Sequence, residues 1–255
     1  MTAAYVWAWR RARLPGEPHP PGYGRLALFL GAMLWVVAAL ISPIDSMADE
    51  LIVMHMVQHV ILLDFVPIMM ILSFTKGLLR PVTRRITTLE RRAGWFASPW
   101  FAVVCYVGLM WLWHIPYMYD HAVAHSGIHA IEHLCFSFAG FIYWWHLLSP
   151  IKARQALTGM QPIVYMSITK VLVGGLGIAL AFSTTALYPW YVDHPHYWNM
   201  SARVDQNLAG AFMALEQSFV MGIALVWIIV RMFEESERDA KRKERFEEAY
   251  EEAYF

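Results

Sequence analysis

The chain alternates long apolar runs with short polar segments over most of its length. Six of these runs could each cross a bilayer as a helix, which takes about 20 apolar residues. They cover residues 25–43, 51–74, 99–117, 126–148, 161–187 and 207–232. Tyrosine and tryptophan crowd many of their ends, as they do at membrane interfaces. The pattern predicts an all-α fold, a polytopic transmembrane helical bundle with six full spans plus an N-terminal partial span.

The two ends of the chain differ from this bundle, which we place at residues 25–232. Residues 1–24 begin with the apolar stretch Met1–Trp9, only about half a span long, which three arginines and a Pro/Gly-rich connector follow. This segment is either an interfacial anchor or a partial span with its connector. Residues 233–255 mix charges at helical spacing, and predict a solvated, charged cytoplasmic C-terminal helix.

Composition supports the membrane interpretation. Of the 255 residues, 58% are hydrophobic, and the mean hydropathy of +0.40 is too high for a soluble domain of this size. The net charge is zero, which argues against nucleic acid as a partner. Cys105 and Cys135 both lie in apolar runs and form no Cys-x-x-Cys motif, so we expect two small packing residues.

Basic residues indicate the orientation of the spans. Lysine and arginine concentrate in segments 10–25, 76–92, 152–154 and 231–245, whereas the alternate connections hold only Arg203. Because basic residues are retained in cytoplasmic connections, the pattern predicts a multi-pass protein of a cell membrane with its C-terminus in the cytoplasm. The outer connections are then 44–50, 118–125 and 188–206.

Two matched histidine pairs lie inside the apolar runs. His55 and His59 belong to the second run, and His129 and His133 belong to the fourth. Residues four apart lie on one face of a helix, one turn from each other. Both runs cross from outside to inside in the predicted topology, so the pairs lie at matched depth. We expect the four imidazoles to share one site or two adjacent sites.

Two further residues are predicted on the same side, because His114 ends the third run and Asp205 begins the sixth. A single buried histidine is more often a packing residue, but five of them near one carboxylate favour a metal site. Imidazole suits copper, zinc and iron alike. The predicted ligands are His55, His59, His114, His129, His133 and Asp205. Gln58 and Glu132 share the helical faces of the histidines, and we expect them to fix ring tautomers.

Three ionisable residues are predicted deeper in the bilayer, Asp64, Lys170 and Glu216. Charged groups inside a span are costly and usually functional. Lys170 and Glu216 form either a buried ion pair or part of a polar pathway, and the sequence leaves both interpretations open.

In order, these motifs resemble the CtaG family of bacterial cytochrome c oxidase assembly factors, which is associated with caa-type oxidases. The motifs are His55-Met56-x-Gln58-His59, Trp113-His114-x-Pro116, Tyr119-Asp120, His129-x-x-Glu132-His133, Gly140 with Trp144-Trp145, Leu187-Tyr188-Pro189-x-Tyr191 and Asp205-Gln206-x-x-Ala209-Gly210. Together they cover roughly residues 24–232. One departure is the N-terminus, where family members commonly begin with a complete span.

The resemblance implies a helical membrane protein that is needed to assemble active oxidase and has a role in copper supply. It implies copper as the bound metal, oxidase subunits as partners and the bacterial cell (inner) membrane as the location. An extracytoplasmic copper donor and a second copy of the chain are further candidate partners. The expected role is not enzymatic, since no nucleophile or cofactor fingerprint lies near the histidines.

Two other functions stay open at this point. The segment His129-x-x-Glu132-His133 has the form of an inverted zinc-protease motif, with Glu132 as general base. An intramembrane zinc hydrolase would leave His55 and His59 without a role, because a catalytic zinc takes three protein ligands. A haem-binding redox protein would use histidines on facing helices as axial ligands, but clustering near one surface suits small ions better.

Overall fold

The structure, a computed structural model, describes residues 2–14, 20–151, 155–193 and 200–254. The regular elements in these ranges are all helical. The α-helices are α1 (Thr2–Arg11), α2 (Tyr23–Ile41), α3 (Pro43–Ala48), α4 (Ile52–Val60), α5 (Val66–Ser73), α6 (Lys76–Ala93), α7 (Pro99–Trp113), α8 (Pro116–Ala124), α9 (Ser126–Leu148), α10 (Gln161–Ala181), α11 (Pro189–Asp193) and α12 (Ala202–Tyr254). A π-helical turn, Ile61–Phe65, joins α4 to α5, and a 3₁₀ turn, Gly94–Ala97, precedes α7.

Four helical segments in the described part of the chain are long and apolar enough to cross a membrane. They are Tyr23–Ile41, Ile52–Ser73, Gln161–Ala181 and Ala202–Ala249. A fifth is added if α6 and α7, which meet at 60°, count as one bent span. The prediction of a helical membrane protein is therefore confirmed, whereas six full spans are only partly supported.

The properties of α7 and α9 explain why fewer spans are found than the six predicted. Helix α7 ends at Trp113 and has 15 residues, fewer than a span takes. Helix α9 has 23 residues, but His129, Glu132 and His133 lower its hydropathy. The polar residues that make α9 a candidate for metal binding are therefore the same residues that make it harder to recognise as a membrane span.

The run from α4 to α5 crosses the core as one interrupted helix. The π-helical turn inserts an extra residue per turn, a feature that is frequent at functional sites. Its Leu63 carbonyl oxygen lies against Gly140 of α9, and a Cβ added to Gly140 would fall 1.8 Å from that oxygen. Glycine at position 140 is therefore what lets the π-helical turn and α9 pack backbone to backbone.

Both ends of the chain continue the helical architecture. In α1, Tyr5 stacks on Phe29 of α2 with ring centroids 3.9 Å apart, and its hydroxyl donates to the Ser73 carbonyl oxygen. At the other end, α12 runs unbroken from Ala202 to Tyr254. The charged segment that follows residue 232 therefore continues the last apolar helix instead of forming a separate one.

A carboxylate network is centred on Asp64 of the π-helical turn, and we define it as Asp64, Tyr106, Trp144, Glu216 and Gln217. Asp64 accepts hydrogen bonds from the Tyr106 hydroxyl (2.8 Å), Trp144 Nε1 (2.7 Å) and the Gln217 amide (3.2 Å). The same amide also donates to Glu216. Lys170 is exposed on α10, whereas Glu216 is buried and contacts Gln217. Of the two interpretations that the sequence left open, a buried ion pair of Lys170 with Glu216 is therefore not found among the described residues.

Candidate metal site

The histidine pairs of α4 and α9 face each other in the core. We call the group His55, His59, His114, His129, Glu132 and His133 the histidine chamber. The rings of His55 and His129 stack across the two helices at 5.0 Å between centroids, and those of His59 and His133 lie 5.7 Å apart. The structure thus brings together the two pairs that the sequence placed at matched depth, because their four-residue spacing puts each pair on one helical face.

Glu132 lies between the two imidazoles of α4. Its carboxylate oxygens are 3.6 Å from His55 Nε2 and 3.5 Å from His59 Nε2. Two ligand atoms bonded to one ion at about 2.0–2.2 Å in a tetrahedral arrangement lie about 3.4 Å apart. Among the described residues, His55, His59 and Glu132 form a group whose ligand atoms all lie within 4.8 Å of one another. The geometry places Glu132 with the candidate ligands, not behind them.

The polar atoms of the chamber are buried but largely without hydrogen-bond partners in the described part of the chain. His55, His59 and Glu132 are at most 2% exposed. Both ring nitrogens of His55 and His59, both oxygens of Glu132, and Nε2 of His129 and His133 lack a partner. Buried polar groups in folded proteins are nearly always satisfied, and leaving them unpaired is costly. A bound cation would satisfy this donor set, which fits copper or zinc.

His114 enters the chamber from the end of α7. Its Nδ1 lies 2.7 Å from the Met110 carbonyl oxygen one turn earlier, and its Nε2 lies 3.3 Å from the Met56 sulfur of α4. The ring centroid is 6.3 Å from that of His59. His114 is therefore near the pairs, as expected, and its Nε2 faces the sulfur of Met56, a contact between two helices that no local sequence pattern indicates.

Aromatic residues cover one side of the chamber. Tyr119 of α8 lies 5.0 Å from the His55 ring and 4.1 Å from Tyr188, centroid to centroid. The Tyr188 hydroxyl donates to the His114 carbonyl oxygen, and the Tyr191 hydroxyl of α11 donates to the Ala48 carbonyl oxygen. These tyrosines occur in two of the sequence motifs, and their fully buried rings form a layer in which Tyr119 contacts His55 and the other two pack on Tyr119.

Gln58 and Asp205 have other contacts. The Gln58 amide nitrogen donates to the Ala39 carbonyl oxygen (2.7 Å) and to Asp45 (2.9 Å), so it faces α2 and α3. A role of Gln58 in fixing imidazole tautomers stays a prediction. The oxygens of Asp205 accept from the backbone N–H groups of Ile52 and Val53 at 2.6 and 3.1 Å. Asp205 thereby caps the N-terminus of α4, and metal binding by Asp205 stays a prediction.

Comparison with known proteins identifies relatives of the whole helical region. The family model described as cytochrome c oxidase caa3 assembly factor (Caa3_CtaG) matches residues 3–235. An uncharacterized protein of Mycobacterium leprae is 21% identical over 264 residues, which cover 94% of this chain and 38% of that protein. The chain therefore spans less than two-fifths of the length of this relative. No solved structure matches the chain.

Proposed function

Since the chain belongs to the family of cytochrome c oxidase caa3 assembly factors, we propose that it supplies copper to the oxidase during assembly. Copper is the cargo in this proposal, and His55, His59 and Glu132 are its ligands, with His129 and His133 beside them. One observation carries the proposal, namely that these buried ligand atoms converge at metal-binding spacing without other partners. Imidazole and carboxylate together bind copper well.

The proposed topology places the chamber where such a cargo is received. Six membrane crossings with the basic connections and the C-terminus in the cytoplasm put the histidine pairs near the outer face of the bacterial cell membrane. Copper would then arrive from an extracytoplasmic donor and leave to an oxidase subunit, with no catalytic step on the chain itself. The tyrosines over the chamber would have to move for either transfer.

Metal analysis of the purified full-length protein tests the proposal. The wild type should retain copper in stoichiometric amount, and the double variant His55→Ala/His59→Ala should retain none. His146→Ala, a change near the far end of α9, is the matched histidine control and should bind as the wild type does. In cells, the double variant should leave the oxidase poorly active at normal abundance of the assembly factor.

The same purified protein distinguishes copper supply from the two alternative functions, a zinc hydrolase and a haem protein. Stoichiometric zinc together with chelator-sensitive cleavage of casein would favour a hydrolase. A Soret band of stoichiometric strength would favour a haem protein. Copper that persists in the double variant would overturn the assignment of the ligands.

A further inference from the structure

We propose that Met56 and His114 form a soft half-site of the histidine chamber, which receives the cargo as Cu(I). This inference rests on the proposed copper function and adds to it an oxidation state and a thioether ligand. Both side chains are buried, with exposures of 1% for Met56 and 5% for His114. They come from different helices, α4 and the end of α7, and meet at 3.3 Å between the sulfur and Nε2.

The tautomer of His114 follows from its other nitrogen. Nδ1 lies 2.7 Å from the Met110 carbonyl oxygen, which can only accept a hydrogen bond. Nδ1 must therefore carry the proton, and in the neutral ring Nε2 presents a bare lone pair. The thioether sulfur of Met56 has no hydrogen to donate either. Two electron-pair donors thus face each other in a buried space.

A cation that accepts both lone pairs would remove the repulsion between these two electron-pair donors. With bonds of about 2.0 Å to nitrogen and about 2.3 Å to sulfur, as for zinc, a separation of 3.3 Å gives an angle of about 100° at the ion. That angle suits three- or four-coordinate binding. Thioether is a soft ligand that favours Cu(I) over harder cations, so for a copper cargo the pair of donors favours the Cu(I) oxidation state.

His59 connects the half-site to the rest of the chamber. Its ring lies 6.3 Å from that of His114 and 5.7 Å from that of His133, centroid to centroid. Both of its nitrogens lack a hydrogen-bond partner in the described residues. His59 is therefore the ligand that we expect an ion to use as it moves between this pair and Glu132, whose oxygen lies 3.5 Å from His59 Nε2.

X-ray absorption at the copper edge tests the half-site on the full-length protein loaded anaerobically with Cu(I). The wild type should show a sulfur neighbour at about 2.3 Å beside nitrogen or oxygen neighbours. Met56→Leu, which nearly conserves volume, should lose the sulfur neighbour. Since even loss of an outer supporting group costs about 10- to 100-fold in metal affinity, Cu(I) retention against a chelator should fall at least tenfold.

Met54→Leu is the matched control, because Met54 lies two residues away on α4 and is not part of the half-site. It should keep both the sulfur neighbour and the affinity of the wild type. Cu(II) affinity should change little in either variant. A selenomethionine preparation of the wild type gives a second measurement without substitution, since selenium should replace the sulfur neighbour of copper.

The outcomes separate this inference from the function on which it rests. Copper bound by nitrogen and oxygen alone, equally in the wild type and both variants, would overturn the half-site and leave the copper function standing. Absence of copper from the wild type would overturn both. A sulfur neighbour that persists in Met56→Leu would assign the thioether to a different methionine.

Discussion

The histidine chamber and the carboxylate network both include residues of the interrupted helix that runs from α4 to α5. They differ in one respect, namely how the oxygens of Asp64 in the network and the ligand atoms of the chamber are satisfied. Asp64 accepts three hydrogen bonds from Tyr106, Trp144 and Gln217. In the chamber, His55, His59 and Glu132 lie side by side with unpartnered nitrogens and oxygens. In the network, Glu216 Oε1 and Gln217 Oε1 also lack a partner among the described residues, but Asp64 itself is satisfied by neighbouring donors and stabilises the fold. In the chamber, the unsatisfied atoms of three residues converge at metal-binding spacing, which indicates a bound cation.

One span, which runs from α4 through the π-helical turn to α5, contributes residues to both the histidine chamber and the carboxylate network. The π-helical turn Ile61–Phe65 separates His59 from the rest of the span and itself carries Asp64. Gly140 allows this turn to pack on α9, and α9 contributes His129, Glu132 and His133 to the chamber and Trp144 to the network. The rigid network therefore anchors the same two helices that present the ligands. A site on well-packed helices is held more accurately than one on loops.

The largest expected effect comes from exchanging one residue in each region for alanine. Asp64→Ala leaves buried donors on Trp144 and Tyr106 without an acceptor, and each such group costs about 1–3 kcal/mol. The folded protein should largely be lost. His59→Ala removes a nitrogen pair that has no hydrogen-bond partner among the described residues, so it should abolish copper binding. Its stability cost is limited to lost packing against Phe136, and the unfolding temperature of the metal-free protein should fall less than in Asp64→Ala.

Thermal unfolding of both metal-free variants in one detergent measures this contrast. Asp64→Asn is the intermediate case, because the amide oxygen keeps an acceptor and loses the charge. Equal losses of stability in His59→Ala and Asp64→Ala would remove the distinction between the two regions.

The second largest effect is expected at the contact between Gly140 of α9 and the π-helical turn, which links the histidine chamber to the carboxylate network. Gly140→Ala places a methyl group 1.8 Å from the Leu63 carbonyl oxygen, and backbone atoms must shift to accommodate it. We expect a strong fall in stability and a disturbed chamber even though no ligand is changed. Gly108→Ala in α7 is the control, since its Cβ would meet nothing within 4 Å. Size-exclusion profiles and copper content should separate the two variants, and similar behaviour would argue against the close packing.

Some of these features could be predicted from the sequence, whereas others became apparent only in the structure. The spacing of His55 with His59 and of His129 with His133 was enough to predict that the pairs would meet, because helix geometry fixes their faces. The contact of Met56 with His114 and the network around Asp64 depend on how separate helices pack, which no local pattern encodes. The same limit explains Glu132, which was predicted to support the ligands and is found between two of them, and Asp205, which contacts the first turn of α4.

A smaller, graded effect is expected at Glu132. Glu132→Gln keeps the shape and one acceptor but removes the charge, so copper affinity should fall by at least about tenfold, with function falling in parallel. Gln58→Ala is the neighbouring control, since its contacts lie with Ala39 and Asp45, and it should affect copper little. If Glu132→Gln retained full metal and lost all function, Glu132 would be acting as a general base, and the hydrolase interpretation would replace copper supply.

The smallest effect is expected at Asp205, which resembles Asp64 more than Glu132 in how its oxygens are used. Both oxygens accept backbone N–H groups at the start of α4, where unsatisfied donors and the positive end of the helix dipole favour a carboxylate. Asp205→Ala should lower the free energy of unfolding by about 1 kcal/mol, as loss of a helix cap does. Asparagine keeps one of the two acceptor oxygens and places an amide N–H₂ group against the second backbone donor, so Asp205→Asn should recover only part of the loss. If the carboxylate serves only to position α4, copper stoichiometry should be unchanged in both variants. Copper loss in Asp205→Asn at normal stability would instead return Asp205 to the ligands, as the sequence predicted.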